Sequence, residues 1–462
     1  MHHEMSESDS ASDVAHAGQS VNGAALTFAE LGDRIRDAVS ALPLGAKRRT
    51  SKDPIQKWYP YYAGYSLEFA EAVLRTVRLP ERGCVFDPWN GSGTTTLAAA
   101  RLGYKGRGFD LNPIAALVAR ARLVNTDDAK GIGGFVREAT KKVSANKFNG
   151  SDRLLQWLPP PSVAEFRWLQ KHITRNLATP GPNQELALID DHFPPLASFL
   201  LLALTRAAKS LVPRRNTSNP TVFRRAEQSS AGRAQLPQSW LNAVIEMGKE
   251  LPQTRITPTD PWVMVRDARK HSLPPNTVDF TLTSPPYCTR LDYADATNFE
   301  LAALGPTTDE DYQNLRKELM GAPLVRVPRR PDIPDTWPTA VQDTLRLIRS
   351  HPSKASDSYY YKTYWQYFSD AVAVLEQLHV ALKPRASAAL VVQSSYYKDV
   401  EVDLPSLYVE IAKSLGYRAT TVHNLPVRTV ISSIHPGTKL YRKTWSYRES
   451  VVLLAKEPPS NA

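Results

Sequence analysis

Apolar positions along this chain switch between helical and strand periods, and the switches outline an architecture. Thr27, Phe28, Leu31, Ile35, Val39 and Leu42 recur at helical spacing, which predicts a helix over 27–42 with one apolar stripe. From Cys84 to Leu123 the pattern runs strand, helix, strand, helix, the order of a parallel sheet with right-handed crossovers. It then breaks off. Residues 125–261 carry helical stretches over 162–177 and 196–212, and a polar, Arg-rich section over 213–238. Short apolar strands return at Val263 and Val278, and residues 292–358 interrupt again with seven prolines. A helix over 364–382, a strand over 387–393, a helix over 404–415 and strands over 419–425 and 450–456 close the chain. The expected fold is α/β, a doubly wound sheet of about seven strands ending in a reversed antiparallel pair. A large, mainly helical insertion and a smaller second one interrupt it.

Two of the strands end in unusual loops. Val278-Asp279-Phe280-Thr281-Leu282-Thr283 runs into Ser284-Pro285-Pro286-Tyr287. Two consecutive prolines fix φ and remove two backbone donors, so the chain leaves the sheet abruptly. Their carbonyls stay able to accept, between a serine hydroxyl and an aromatic face, which suits a flat group carrying an amino nitrogen. Taken alone, the stretch is equally a rigid turn. Upstream, Val85-Phe86-Asp87-Pro88-Trp89-Asn90-Gly91-Ser92-Gly93-Thr94-Thr95 leads from a strand through a glycine turn into a helix. Gly91 and Gly93 permit close approach of backbone to a ligand at a helix start. The loop lacks the Gly-Lys-Ser/Thr ending of a nucleotide-triphosphate loop. The following strand ends at Asp110, before Leu111-Asn112-Pro113; an acid there suits a ribose diol, and by itself also reads as a helix cap.

Together these residues resemble the S-adenosylmethionine-dependent amino-methyltransferases of DNA. Asp87 to Thr95 matches that family's cofactor loop, with Trp89 where phenylalanine is usual, and Thr283-Ser284-Pro285-Pro286-Tyr287 matches its catalytic loop in the form typical of cytosine-N4 enzymes. The resemblance implies a Rossmann-like methyltransferase sheet and S-adenosyl-L-methionine as cofactor. It implies a cofactor site built from Tyr59, Asp87, Trp89, Asn90, Gly91, Gly93, Thr94, Thr95, Asp110, Asn112, Asp267 and Ala268, with Asp267 facing the adenine. Catalysis would fall to Ser284, Pro285, Pro286 and Tyr287: the Ser284 hydroxyl and Pro285 carbonyl accepting from the two amino hydrogens, and Tyr287 stacking on the base. The expected division is a tail over 1–26 and a catalytic domain in three parts, 27–124, 262–293 and 359–462. Between them lie a helical and basic insertion over 125–261, which would read the target, and a proline-rich basic insertion over 294–358, which would contact DNA.

Charge narrows the partner. The chain of 462 residues carries a formal net charge of +11, which favours a polyanion over an acidic small substrate. Lys47, Arg48 and Arg49, Arg214 and Arg215, Arg224 and Arg225, and Arg326, Arg329 and Arg330 form separate clusters in irregular segments. Each taken singly reads as solvated surface; their recurrence suggests phosphate contacts with double-stranded DNA. Cys84 and Cys288 are the two cysteines, and indicate neither a disulfide framework nor a zinc site. No metal is expected. No secretory leader and no apolar run of membrane-spanning length is read either, which places the protein in the cytoplasm. The leading expectation is a DNA cytosine-N4 methyltransferase acting on a flipped-out base, in a restriction-modification setting. An adenine-N6 DNA or RNA methyltransferase, and a non-catalytic nucleic-acid-binding protein on the same fold, stand as alternatives.

Overall fold

A computed structural model of the chain describes residues 26–42, 53–60, 64–143, 150–178, 193–212, 236–251, 256, 260–288, 292–304, 308–327, 329–427 and 447–458. The strands are β1 (Cys84–Asp87), β2 (Lys105–Asp110), β3 (Trp262–Val265), β4 (Val278–Thr283), β5 (Leu382–Gln393), β6 (Ser395–Tyr397), β7 (Val400–Val402), β8 (Tyr417–Val427) and β9 (Tyr447–Lys456). Seven form one sheet in the order β3-β2-β1-β4-β5-β9-β8. β1 to β5 run parallel, and β9 lies antiparallel between β5 and β8. This is the doubly wound α/β sheet with a reversed strand that the apolar pattern indicates. β6 and β7 pair separately as a small hairpin; at three residues each, they are too short to show a period in sequence.

Side chains alternate along the strands and so sort to the two faces of the sheet. Val85, Leu282, Ala389, Val451 and Leu453 enter one apolar core, whereas Phe86, Val278, Leu390, Val452 and Leu454 enter another. Helices cover both faces, which is why the strands read as continuous apolar runs. On the first face lie α1 (Phe28–Ala41), α2 (Leu67–Thr76), α3 (Thr94–Arg101) and α4 (Pro113–Arg122). The Thr27 hydroxyl accepts from Glu30 N–H, and the Glu30 carboxylate accepts from Thr27 N–H in return. This reciprocal cap fixes where α1 begins.

The first interruption adds α5 (Ile132–Lys142), α6 (Pro160–Leu177), α7 (Pro195–Ser210) and α8 (Leu236–Lys249). Every residue from Phe199 to Leu204 is buried, because α7 is apolar all round and is enclosed by α4, α6 and α8. The second holds α9 (Tyr293–Ala296), α10 (Asn298–Leu304), α11 (Asp309–Glu318) and α12 (Thr339–Ser350). On the other face α13 (Tyr361–Ala381) and α14 (Leu404–Ser414) complete the crossovers. Among the described residues no helix is long and apolar enough to cross a membrane.

Candidate functional site

Parallel strands bring their carboxyl ends to one edge. Asp87 stands in register with Gly108, and Asp110 with Val265, so the loops after β1, β2 and β3 leave the sheet together. From β1 the order runs outward to β2 and β3 on one side and to β4 and β5 on the other. Such a reversal of strand order opens a crevice, the usual ligand position in open α/β sheets. The crevice here holds about 900 Å³ of space, counted out to its open mouth. Asp87, Trp89, Asn90, Gly91 and Thr94 line it from the glycine loop, Asp110 and Asn112 from the end of β2, Asp267 and Ala268 from beyond β3, and Ser284 and Pro286 from beyond β4. Motifs nearly two hundred residues apart in sequence therefore share one cleft.

Acidic side chains organise its floor. Thr283 Oγ1 donates to Asp87 Oδ1 at 2.5 Å, Trp89 N–H to the same oxygen at 3.0 Å, and Thr95 Oγ1 to Oδ2 at 2.7 Å. Burial pushes the Asp87 carboxyl up to about 7, against the pull of these three donors. Asp110 receives Asn112 N–H and Gly91 N–H, each at 2.8 Å, and burial raises it to about 6. Asp267 is different. Burial opposes its charge, but hydrogen bonds and attraction from Arg269 prevail and hold its carboxyl below the ordinary value.

The proline loop is tied from behind. The Ser284 hydroxyl donates to the Val391 carbonyl at 3.0 Å, so its single proton is engaged and its lone pairs remain able to accept. The Tyr367 hydroxyl donates to the Pro286 carbonyl at 3.0 Å, and Ser395 Oγ to the Cys288 carbonyl at 3.1 Å. Among the described residues no donor reaches the Pro285 carbonyl, although Pro285 is buried. Tyr287 is half-buried beside Tyr293, its N–H 3.4 Å from that hydroxyl.

No protein-family model matches the chain. It is 22% identical over 426 residues to the type II methyltransferase M.BsoBI of Geobacillus stearothermophilus, covering 83% of this chain and 82% of that one. It is 19% identical over 450 residues to the type II methyltransferase M.AvaI of Nostoc sp. and of Anabaena variabilis, covering 88% of this chain and 87% of each relative. The chain is thus similar to type II methyltransferases along most of its length. Among solved structures, an rRNA methyltransferase from Streptomyces viridochromogenes covers 90% of this chain and 94% of its own at 11% identity and a TM-score of 0.25, a likeness too slight to bear on the site.

Methyltransferases of these types draw their methyl group from S-adenosylmethionine, and the cleft has the donor set for it. Asn90 is 4% exposed, yet among the described residues neither its Oδ1 nor its Nδ2 has a hydrogen-bond partner. A buried amide without partners is costly, and this one sits on the cleft wall where a polar ligand would satisfy it. Room for it depends on Gly108, where a Cβ would lie 2.4 Å from the Asn90 amide carbon. The Gly91 and Asn112 amides fix Asp110 as a half-buried acceptor beside it. Among the described residues no group of acids, histidines and cysteines is placed to hold a metal ion.

Not every residue of the expected site reaches the wall. The Tyr59 ring is buried away from the cleft, and its carbonyl accepts from Arg122 at 3.2 Å. Tyr65 lines the cleft instead, its hydroxyl 2.5 Å from Thr95 Oγ1. Gly93 and Thr95 stand behind the wall, Gly93 as the left-handed cap of α3 with φ 84°. Arg326 is already engaged within the protein. Its guanidinium is taken by Glu318 at 3.1 Å and by Asp370, so it belongs to an internal ion cluster. Arg329 and Arg330 are exposed, with Arg330 3.8 Å from Asp357. Lys47, Arg48, Arg49, Arg214, Arg215, Arg224 and Arg225 lie outside the described residues. Thr283 stands in the catalytic-loop motif without a role assigned to it, and Glu318, Leu319 and Met320 are not marked by the sequence at all. Thr283 is the polar end of an apolar strand; nothing in the local pattern marks the other three.

Proposed function

We propose that the protein transfers a methyl group from S-adenosylmethionine to the exocyclic N4 amine of a cytosine in double-stranded DNA, as the modification enzyme of a restriction system. The observation that carries this reading is the Ser284 hydroxyl. It sits on the cleft shared with the glycine loop, with its proton engaged by Val391, and therefore acts as an acceptor. An amino group bound there can donate one hydrogen to Ser284 and the other to the Pro285 carbonyl.

The chemistry asks for such acceptors. A cytosine amine is a weak nucleophile because its lone pair is delocalised into the ring. Acceptors on both hydrogens draw it toward pyramidal geometry, and contacts that strengthen in the transition state are worth about 3 kcal/mol each. Tyr287 supplies a stacking face, roughly 1–3 kcal/mol by analogy with single-strand binders. Asp110 and Asn90 hold the cofactor, which when bound supplies an electrophilic sulfonium methyl. Alignment across one cleft then provides much of the rate. Inside a duplex the amine is paired, so the target base must be flipped out, at a cost of a few kcal/mol. Exposed Arg329 and Arg330 suit phosphate contacts that offset this cost, and activity falls as salt rises.

Mass spectrometry of nucleosides from DNA of cells expressing the protein tests the assignment. N4-methylcytosine is the expected product. N6-methyladenine in its place overturns the choice of base, and an unmodified genome together with no binding of S-adenosylmethionine overturns the enzyme reading altogether.

A further inference from the structure

The wall facing the glycine loop comes from the second insertion. Glu318, the last residue of α11, and Leu319 and Met320 directly after it line the cleft. Gly321 follows with φ 72°, and a Cβ there would stand 2.6 Å from the Tyr287 carbonyl oxygen, so this strap rests on the proline loop. Its far end is tied back by Arg326, whose N–H donates to Gln366 Oε1 at 2.7 Å and whose guanidinium reaches Glu318 and Asp370. Arg269 completes the cluster, donating to Glu318 Oε2 at 2.8 Å and to Asp370 Oδ1 at 3.0 Å.

Two acids of this cluster line the cleft, and they differ in what they have left to offer. Asp267 is engaged on both oxygens: Oδ1 takes the Arg269 backbone N–H at 3.0 Å and Nε at 2.8 Å, and Oδ2 takes a guanidinium N–H at 2.8 Å with Lys270 Nζ 3.5 Å away. Glu318 uses Oε2 alone, for Arg269 and Arg326. Among the described residues no hydrogen bond reaches its Oε1, and the side chain is 40% exposed. A carboxylate oxygen accepts up to about two hydrogen bonds, so a donor entering the cleft meets a vacant acceptor at Glu318. Position narrows the donor. Glu318 is bonded to Arg269, which follows β3, and β3 lies three strand positions from β4, about 14 Å at ordinary strand spacing. β3 pairs with β2, whose terminal Asp110 suits a ribose diol, so the adenosine half of the cofactor is the half that reaches this wall.

We propose that Glu318 is a cofactor-contacting acceptor, taking a donor of the adenosine half, the 6-amino group or a ribose hydroxyl, with Arg269 and Arg326 as its positioning residues. The inference rests on the cleft being the S-adenosylmethionine site. It transfers to Glu318 a role that the family resemblance assigns to Asp267.

Calorimetry with S-adenosylhomocysteine on the full chain tests it, comparing wild type, Glu318→Gln and Arg326→Gln, then repeating with the 6-deamino and ribose-deoxy analogues. Glu318→Gln is expected to weaken S-adenosylhomocysteine about tenfold, and Arg326→Gln, which keeps the carboxylate, about threefold or less. The Glu318→Gln penalty is expected to vanish with whichever analogue lacks the partner donor. A Glu318→Gln affinity within twofold of wild type, or an equal penalty with both analogues, reduces Glu318 to a latch and overturns the inference. Wild-type protein that binds no S-adenosylhomocysteine overturns the cofactor reading itself, and the inference with it. Glu318→Asp, which withdraws the oxygen but keeps the charge, supplies the same comparison where the amide variant does not fold.

Discussion

The loops after β1 and β4 leave neighbouring parallel strands at the same edge, yet they are held in opposite ways. The glycine loop is held through its N–H groups: Trp89 and Gly91 donate to the carboxylates of buried Asp87 and half-buried Asp110. The proline loop is held through its carbonyls, with Pro286 and Cys288 accepting from Tyr367 and Ser395. Glycines keep their donors and permit close packing, whereas prolines have no donors to give. One rim of the cleft is thus built on acids and the other on carbonyls and a hydroxyl. The first suits a cofactor rich in donors and the second an amine, and under the proposed function the two rims serve two substrates.

Ser284→Ala strikes this division hardest. Removing the acceptor is expected to lower methyl transfer on the order of 100-fold, the usual cost of deleting one contact that strengthens in the transition state. S-adenosylmethionine affinity should hold, because the glycine loop does not depend on this hydroxyl. Turnover with a DNA substrate and cofactor calorimetry separate the two effects. Lost cofactor binding with the Ser284 variant would mean that the rims are assigned the wrong way round.

Asp110→Ala is the converse test and a smaller one. Hydrogen bonds to a charged group contribute about 1.5–3 kcal/mol, so cofactor affinity should fall roughly 10- to 100-fold. The same carboxylate predicts a pH dependence. Its pKa is raised from 3.8 to about 6, and the ionised form is the acceptor, so ligand binding releases a proton at acid pH. Affinity should therefore be level above pH 7 and decline as pH falls through 6, by about tenfold at pH 5. Calorimetry across pH 5–8 checks this, and a profile unchanged in Asp110→Asn would remove Asp110 from the titration.

These tests bear on the part of the site that sequence patterns reveal well. Val85 to Asp87 and Val278 to Thr283 are short apolar runs ending in polar residues and turn formers, so strand, edge and loop could be read together. Likewise α1 was legible from its stripe. The second insertion was not. Its prolines and arginines suggested an exposed DNA contact, but Arg326 meets Asp370, 44 residues away, and no local pattern reports a partner at that distance. Tyr65 was passed over for Tyr59 for a related reason. Both are aromatic residues before α2, and only the packing of Arg122 on the Tyr59 carbonyl shows which ring turns inward. Local periodicity identified the elements; long-range ion pairs and buried hydrogen bonds decided which charges and rings face the cleft.

The smallest effect sharpens the comparison most, because it acts behind the proline loop without touching the cleft. The Tyr367 hydroxyl is buried, donates to the Pro286 carbonyl, and lies 3.3 Å from the Tyr408 hydroxyl. Tyr367→Phe leaves that carbonyl without its donor, a loss of about 1 kcal/mol for a neutral hydrogen bond. If the carbonyl rim owes its function to being held in place, turnover should fall about fivefold with cofactor affinity unchanged. Tyr408→Phe removes a hydroxyl that reaches the loop only through Tyr367, so its effect on turnover should be smaller. Thermal melting of both variants measures their cost to packing independently. Equal losses of turnover in the two variants, tracking equal losses of stability, would show that the pair serves the core alone and that the Pro286 carbonyl needs no anchor.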